Sequence, residues 1–175
     1  PTVMDLLDHP LKHQLHLAGR LDFATTGLIL LTNNGRWSRN ITEPTAKVAK
    51  TYWVQTQDEI TPDYIAAFAA GFYFAYENLH TAPAHLQLLS SRTAFLQIYE
   101  GRYHQIKRMF GRFNNEVVGL HRLAIGELYL DSALAAGDAL GDAVRYANVS
   151  AALSTQGHGA VAPIPGAAQV RAALA

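Results

Sequence analysis

The chain has 175 residues, of which 49% are hydrophobic, enough for one globular domain with a proper core and a further segment. Lysine plus arginine equals aspartate plus glutamate at 14 residues each, so the overall charge does not indicate a nucleic-acid partner. The absence of cysteine excludes disulfides, thiolate catalysis and cysteine–zinc sites and fits a cytoplasmic location, and no apolar run approaches the ~20 residues of a membrane span.

Short helix and strand patterns alternate irregularly in the first third of the chain. Residues 2–7 predict a short helix capped by their first residue, and the apolar residues 28–32 predict a buried strand. The sequence Asn33-Asn34-Gly35 predicts a turn, and residues 36–41 predict a short helix after it. Residues 50–57 alternate in polarity, which is typical of a half-buried strand.

A complete helix pattern lies between Thr61 and Gly71. Thr61 can cap this helix, Pro62 suits its first turn and Gly71 can end it. Strand patterns follow at residues 72–76, 84–89 and 93–99.

The last part of the predicted domain combines one helix with two strands. Residues 104–113 predict a helix packed on the sheet, because the apolar residues share one face and the basic residues lie on the others. Residues 117–121 and 125–130 predict strands. Many strands with interspersed helices and no regular βαβ rhythm predict an α+β fold, with a mainly antiparallel mixed sheet and flanking helices.

The composition changes after residue 131. Residues 132–175 are about one-third alanine, with frequent glycine and no clear amphipathic period. This composition predicts a poorly ordered or loosely helical tail that follows a domain of residues 1–131. A docked helix at residues 143–153 is the alternative.

Asp22 lies in a glycine-flanked turn just ahead of the apolar residues 28–31. A lone aspartate in such a turn is most often structural, because it hydrogen-bonds its own backbone. The basic segment Gly101 to Arg108 favours a second interpretation, an active-site carboxylate in an RNA-handling groove. A carboxylate is a nucleophile when it is ionised, partly desolvated and held near a cation, which Lys107 or Arg108 could supply.

Other residues of a nucleic-acid site are each open to a second interpretation. Tyr52 could offer a flat surface to an unstacked base, or it could be an ordinary half-buried tyrosine of a sheet. Arg20 could hold a nucleic-acid backbone. The basic residues between Arg92 and Arg122 could follow a phosphate backbone or form a solvated helix face.

Three stretches resemble, in the same order, the motifs of the pseudouridine synthase family. They are A-G-R-L-D-x-x-T-T-G-L-x-L-L-T-N-N-G at residues 18–35, K-T-Y at residues 50–52 and E-G-R-Y-H-Q-I-K-R-M-F at residues 100–110. The K-R-M after H-Q resembles the bacterial ribosomal RNA subgroup, and the similarity is greatest to its members acting on 16S RNA of the small subunit. The resemblance covers residues 1–131 and implies the catalytic domain of this family.

The resemblance implies the isomerisation of a specific uridine in ribosomal RNA, without a cofactor. Asp22 matches the aspartate proposed in this family to attack C1′ of the uridine. Glycosidic cleavage, rotation of the freed uracil and rejoining through C5 then give pseudouridine. Tyr52 matches the tyrosine that stacks on the base and acts as a base toward the sugar. Lys107 matches the position where related subfamilies carry an arginine paired with the aspartate.

The same resemblance implies a set of substrate-binding residues. Ile106 matches the apolar residue that packs under the base, and Arg20 matches an arginine that holds or replaces the flipped nucleotide. Four further residues of the third motif are expected to line the RNA groove: Arg102, His104, Gln105 and Arg108. No metal is expected, since Pro10 argues against the regular helix on which His9, His13 and His16 could hold zinc.

Several expectations concern the whole protein. The subgroup carries an N-terminal S4-type RNA-binding module that this chain lacks, so the domain is expected to be N-terminally incomplete. The expected partner is ribosomal RNA or the assembling small subunit, and the protein is expected to be a cytoplasmic monomer that does not bind membranes. The alternative function is a non-catalytic RNA-binding or ribosome-assembly factor. A glycosidase-like hydrolase ranks last, because no second carboxylate accompanies Asp22 in the motifs.

Overall fold

The structure is a computed structural model that describes residues 2–130 in ten strands and three α-helices. The strands are β1 (His16–Leu17), β2 (Thr26–Gly27), β3 (Leu31–Thr32), β4 (Lys50–Thr56), β5 (Tyr73–Phe74), β6 (Leu79–His80), β7 (His85–Leu88), β8 (Thr93–Ile98), β9 (Val117–Ile125) and β10 (Leu128–Tyr129). The α-helices are α1 (Gly35–Thr42), α2 (Asp63–Ala70) and α3 (Gln105–Gly111), and 3-10 segments lie at Val3–Leu6, Lys12–Gln14 and Pro44–Ala46.

The main sheet is mixed but mostly antiparallel, as the sequence predicts. Five strands run in the order β10-β9-β4-β8-β7, each antiparallel to its neighbours. The short β2 adds to β9 in parallel. Two separate two-stranded sheets join β1 to β3 and β5 to β6. The α+β prediction is confirmed.

Two hydrophobic cores pack against this framework. The larger core combines α2 and α3 with the buried residues of β4, β7 and β8, and it contains the aromatic group Tyr64, Phe68 and Phe110. The smaller core packs α1 against the buried residues of the 28–30 segment and the β9–β10 hairpin. Both cores reach the central strands, so any groove between them lies beside β4 and β9.

Local sequence accounts for the helix ends. Asn34 caps α1, since its Oδ1 accepts from the N–H groups of Arg36 at 3.1 Å and Trp37 at 3.0 Å. Gly71 ends α2 with a φ of 78°, as predicted. The prediction that Thr61 caps α2 is wrong. Pro62 occupies the N-cap position, and the Thr61 hydroxyl donates to the Asp63 carboxylate instead.

The predicted strand at residues 28–32 is divided in the structure. The Leu28 N–H donates to the carbonyl oxygen of Arg122 at 2.8 Å, whereas the Leu30 carbonyl oxygen accepts from the Ala18 N–H at 2.8 Å. The segment changes partner between these two residues, so only its end, Leu31–Thr32, is a strand (β3), and β2 lies just before the segment at Thr26–Gly27. The periodicity of the sequence does not encode this change of partner.

The two predicted strands at residues 117–121 and 125–130 are divided at a different place. Strand β9 runs without interruption to Ile125, and the chain turns at Gly126, whose φ is 60°. Arg122 is 4% exposed and occupies an inward position of β9 between Leu120 and Ala124. The sequence prediction ends this strand four residues too early, at residue 121.

Smaller differences concern the ends and the lengths of elements. The helix predicted at residues 2–7 is the 3-10 segment Val3–Leu6, and the strand predicted at residues 72–76 is the short β5 of a hairpin. The predicted tail at residues 132–175, the alternative helix at residues 143–153 and the end of the 1–131 domain lie outside the described residues. Within residues 2–130, no helix is both long enough and apolar enough to cross a bilayer.

Candidate active site

A cleft of about 360 Å³ lies where the two cores meet, a volume typical of small-ligand sites. Ala18, Ile41 and Ile125 of the smaller core line part of it. Tyr52 and Ile106 of the larger core line another part. The segment that carries Asp22 and the loop before α3 complete the lining.

One guanidinium holds both flanks of the Asp22 turn. The Thr25 N–H donates to the Asp22 carbonyl oxygen at 2.9 Å, which closes the turn. Arg122 donates through Nη1 to the carbonyl oxygen of Arg20 at 3.2 Å and through Nε to that of Leu28 at 2.8 Å. The Asp22 side chain is 32% exposed and lines the cleft. The backbone is therefore fixed on both sides of a carboxylate that stays accessible.

His104 lies beside the Asp22 carboxylate. Its Nε2 is 3.7 Å from Asp22 Oδ1. The His104 backbone has a left-handed φ of 47° immediately before α3, and its ring stacks on Tyr103 with the ring centroids 3.9 Å apart. The two rings thus form a partly exposed aromatic surface next to Asp22, and the imidazole is positive when it is protonated.

A buried carboxylate organises the loop that leads to α3. Glu100 is 5% exposed, and its Oε1 accepts from the Ala82 N–H at 2.9 Å and from Gln105 Nε2 at 3.0 Å. Its Oε2 accepts from Arg102 Nε at 3.0 Å. The Gln105 Oε1 accepts in turn from the Arg102 N–H at 3.0 Å. This network fixes the loop, and it leaves part of the Arg102 side chain exposed at the cleft.

Strand β4 contributes two neighbouring residues to the inner part of the cleft. Lys50 and Tyr52 are two residues apart, so they point to the same face of the strand. Tyr52 lies opposite Arg122 of β9 in the register of the sheet. Burial lowers the pKa of the Lys50 ammonium, the charge of Arg122 lowers it further, and the Glu100 carboxylate opposes both effects.

Residues 1–111 match the family model described as RNA pseudouridylate synthase. The chain belongs to this family. It is 50% identical over 137 residues to the ribosomal small subunit pseudouridine synthase A of Pseudomonas aeruginosa. The aligned region covers 78% of this chain and 60% of that protein. The protein of the same name from Haemophilus influenzae is 48% identical over 138 residues, which covers 79% of this chain and 60% of the relative.

A solved structure supports the family assignment at the level of the fold. It is described as a crystal structure of pseudouridylate synthase, and it aligns with a TM-score of 0.73 and 48% sequence identity. The alignment covers 76% of this chain and 58% of the other. The chain therefore spans about 60% of the length of the pseudouridine synthases that it matches.

In this pseudouridylate synthase fold, most of the predicted site residues meet at the cleft. Those that line it are Arg20, Asp22, Tyr52, Arg102, Gln105 and Ile106. His104 contacts Asp22 from the start of α3. Lys107 and Arg108 lie one turn further along the same helix, and neither is among the residues that line the cleft.

Arg108 is held by a different surface of the synthase domain. Its Nη1 and Nη2 donate to Glu77 Oε1 and Oε2 at 2.5 and 2.7 Å. Its guanidinium carbon lies 3.6 Å from the centre of the Phe74 ring. The Arg108 bond lowers the pKa of the Glu77 carboxyl. Arg108 thus ties α3 to the β5–β6 hairpin.

Lys50 and Arg122 were missed as site residues by the sequence reasoning. Both line the cleft, and they are only 8% and 4% exposed. A signal was present for each: Lys50 begins the K-T-Y motif of the synthase family, and Arg122 alternates with Leu120 and Ala124 in a strand pattern. Neither signal distinguishes a buried cation from a surface charge, because cations are exposed in most strands.

The histidines of the synthase domain do not assemble with carboxylates into a metal centre. Within residues 2–130, no three side chains of His, Asp or Glu come together in a way that could hold a metal ion. His121 is engaged elsewhere, with its Nδ1 2.7 Å from the hydroxyl of Thr26.

Proposed function

We propose that this chain isomerises a uridine of small-subunit ribosomal RNA to pseudouridine, with Asp22 as the nucleophile. The observation that carries the proposal is the Asp22 carboxylate, which opens onto a cleft lined by Tyr52 and Ile106 in a chain of this family. The names of the relatives support the choice of small-subunit RNA. A single carboxylate can act on C1′ only if the target nucleotide leaves its helix and enters such a cleft.

The proposed reaction conserves all atoms of the uridine. An Asp22 oxygen bonds to C1′ as the C1′–N1 bond breaks, and the electron pair of that bond leaves with the uracil. The uracil rotates within the cleft, C5 bonds to C1′, and the bond between Asp22 and C1′ breaks to restore the carboxylate. C5 loses a proton and N1 gains one, so the product is an isomer and no oxidant or reductant is consumed.

The surrounding residues have distinct proposed roles. Tyr52 stacks on the uracil and acts as a base toward the sugar, and Ile106 packs under the same ring. Arg20 holds or replaces the flipped nucleotide. Residues near the cleft, namely Arg102, His104 and Gln105, contact the RNA strand. Lys107 is the proposed cation that accompanies Asp22 in the reaction. Arg108 was expected to bind RNA as well, but its bonds to Glu77 give it the role of tying α3 to the β5–β6 hairpin.

Tritium release from a 16S ribosomal RNA transcript labelled with 5-³H-uridine tests the proposal. We expect release by the wild-type chain and its loss in Asp22→Asn and Asp22→Ala, by about 10³-fold or more, because the covalent step needs an ionised oxygen. Asp8→Asn, an exposed change outside the cleft, is the matched control. Full activity of Asp22→Asn would refute the assignment of the nucleophile. Salt-dependent RNA binding without tritium release would favour the non-catalytic RNA-binding factor.

The proposal extends to the partner and the location. We propose that the chain acts as a monomer in the cytoplasm, where small subunits assemble, on ribosomal RNA alone or within the assembling subunit. Comparing tritium release from naked transcript and from partly assembled subunits distinguishes the two substrates. Sedimentation equilibrium measures the oligomeric state.

A further inference from the structure

Two buried cations share the cleft with Asp22. Lys50 is 8% exposed and Arg122 is 4% exposed, and both belong to the lining. Lysine and arginine are almost never buried to this extent unless a counter-charge accompanies them, because removal of a charge from water is costly. The negative charge that balances Lys50 and Arg122 therefore has to be identified.

No carboxylate among the described residues forms an ion pair with either cation. The ion pairs within residues 2–130 are Arg102–Glu100, His104–Asp22 and Arg108–Glu77, and none involves the two buried cations. Lys50 Nζ donates to the neutral carbonyl oxygen of Val48 at 3.1 Å.

Arg122 has an unused donor. Its Nε and Nη1 donate to two backbone carbonyl oxygens, but its Nη2 is buried and has no hydrogen-bond partner among the described residues. The nearby Glu100 carboxylate acts on Lys50 through space, but its oxygens accept from Ala82, Arg102 and Gln105. A buried donor without a protein partner costs free energy, so Arg122 Nη2 is available to an acceptor that enters the cleft.

We infer that Lys50 and Arg122 form an anion site for the uracil that is detached from the sugar during the reaction. This inference rests on the proposed function. When the C1′–N1 bond breaks, the electron pair places a negative charge on the uracil ring, spread over N1, O2 and O4. Two fixed and buried cations stabilise such a charge without reorganisation at the moment of reaction.

The surroundings of the two cations favour a flat base over a phosphate. Ile98, Leu120 and Ile125 line the same cleft, and apolar walls suit the faces of a pyrimidine ring. A phosphate group stays on the RNA backbone, which the exposed residues of the cleft edge can reach without entering. The anion that arrives at Lys50 is therefore the leaving group rather than the backbone.

The experiment compares uridine with 5-fluorouridine at the target positions of the transcript. Fluorine withdraws electrons and stabilises the detached base as an anion, so the fluorinated substrate needs the two cations less. The rate is the single-turnover disappearance of the target nucleoside from nuclease digests, with enzyme in excess. The variants are Lys50→Met and Arg122→Lys, and Lys47→Met is an exposed matched control.

We expect Lys50→Met to slow the reaction of uridine by about 100-fold, as the loss of one group that stabilises developing charge does elsewhere. The loss with 5-fluorouridine should be at least tenfold smaller. RNA affinity should stay within about twofold of wild type, because the interaction forms only after cleavage. Arg122→Lys, which keeps the charge but not the forked geometry, should show the same trend.

Each of the alternative results would overturn a specific claim. Equal losses with the two substrates, or a loss of RNA affinity that accounts for the slower rate, would overturn the anion site and leave the proposed function standing. Failure of the wild-type chain to convert uridine would overturn the proposed function and the anion site together. Thermal unfolding of each variant separates these results from misfolding. Lys50→Met is the decisive variant, because Arg122 also hydrogen-bonds the backbone on both sides of the Asp22 turn.

Discussion

The burial of the Lys50 ammonium lowers the stability of the fold. Its ammonium is buried with a neutral carbonyl as hydrogen-bond partner, and burial is the main cause of its lowered pKa. We expect Lys50→Met to raise the free energy of unfolding at neutral pH by about 1 kcal/mol, since a methionine of similar shape needs no desolvation of charge. Urea unfolding measures the change, and Lys47→Met, at an exposed position, should have no effect.

The pH dependence of this gain has a defined sign. The pKa of Lys50 is lower in the folded than in the unfolded chain, so the unfolded chain binds more protons between the two values. Wild-type stability therefore rises with pH between the folded and the unfolded pKa of Lys50, and the advantage of Lys50→Met shrinks over the same range. A methionine variant that is less stable than wild type at neutral pH would show that the ammonium stabilises the fold.

The residues of the site could be predicted from the sequence where they belong to a family motif, because the motif specifies both the residue types and their order along the chain. Asp22 and Tyr52 come from separate motifs, and the structure brings both to one cleft. The partners of the cations could not be predicted, because they depend on distant elements. Arg108 bonds Glu77 of the β5–β6 connection, a pairing that no local pattern in the sequence contains.

At the scale of elements, β2 depends on the close approach of Gly27 to β9. Gly27 has a φ of 107°, and a Cβ placed there would lie 2.3 Å from the carbonyl oxygen of Arg122. No side chain fits without displacing backbone.

We expect Gly27→Ala to lower the free energy of unfolding by at least about 2 kcal/mol, through strain at a positive φ and overlap with β9. The activity of the molecules that remain folded should also fall, because a displaced Arg122 no longer holds the Asp22 turn. Gly111→Ala is the control, since a Cβ there meets nothing within 4 Å. Equal stability of the two variants in urea would contradict the importance of the β2–β9 contact.

The bounds of a strand could be predicted where the same neighbouring strands bond to it along its whole length. Strand β4 has strands on both sides along its length, and its predicted extent is close to the observed one. The segment from Leu28 to Leu30 changes partner within three residues, and β9 carries a buried arginine. Both departures from the prediction result from tertiary contacts that override the local periodicity.

At the scale of the whole molecule, the charges cancel, so long-range attraction of RNA is weak. The chain has 14 basic and 14 acidic residues, and the cations of the cleft edge are Arg20, which is exposed, and Arg102, which is partly exposed. RNA affinity should therefore depend on a few local phosphate contacts rather than on net charge.

Two or three contacts predict a slope of roughly −1.4 to −2.1 for the logarithm of RNA affinity against the logarithm of salt concentration. Fluorescence anisotropy with a labelled single-stranded 16S fragment measures the slope. Arg20→Met should reduce its magnitude by about 0.7, whereas Arg36→Met, an exposed change outside the cleft lining, should not. A slope steeper than about −4 would show that many charges away from the cleft bind RNA.

The link between Arg122 and the Asp22 turn has a consequence for how the protein is made. The two hydrogen bonds join residues 102 and 94 positions apart. At roughly 5–20 residues per second, about 5–20 s of synthesis separate the Asp22 segment from its support. A nascent chain that already contains all three family motifs still lacks β9, the strand whose Arg122 holds the Asp22 turn. The order of translation thus leaves the Asp22 turn without this support until β9 has emerged and joined the sheet.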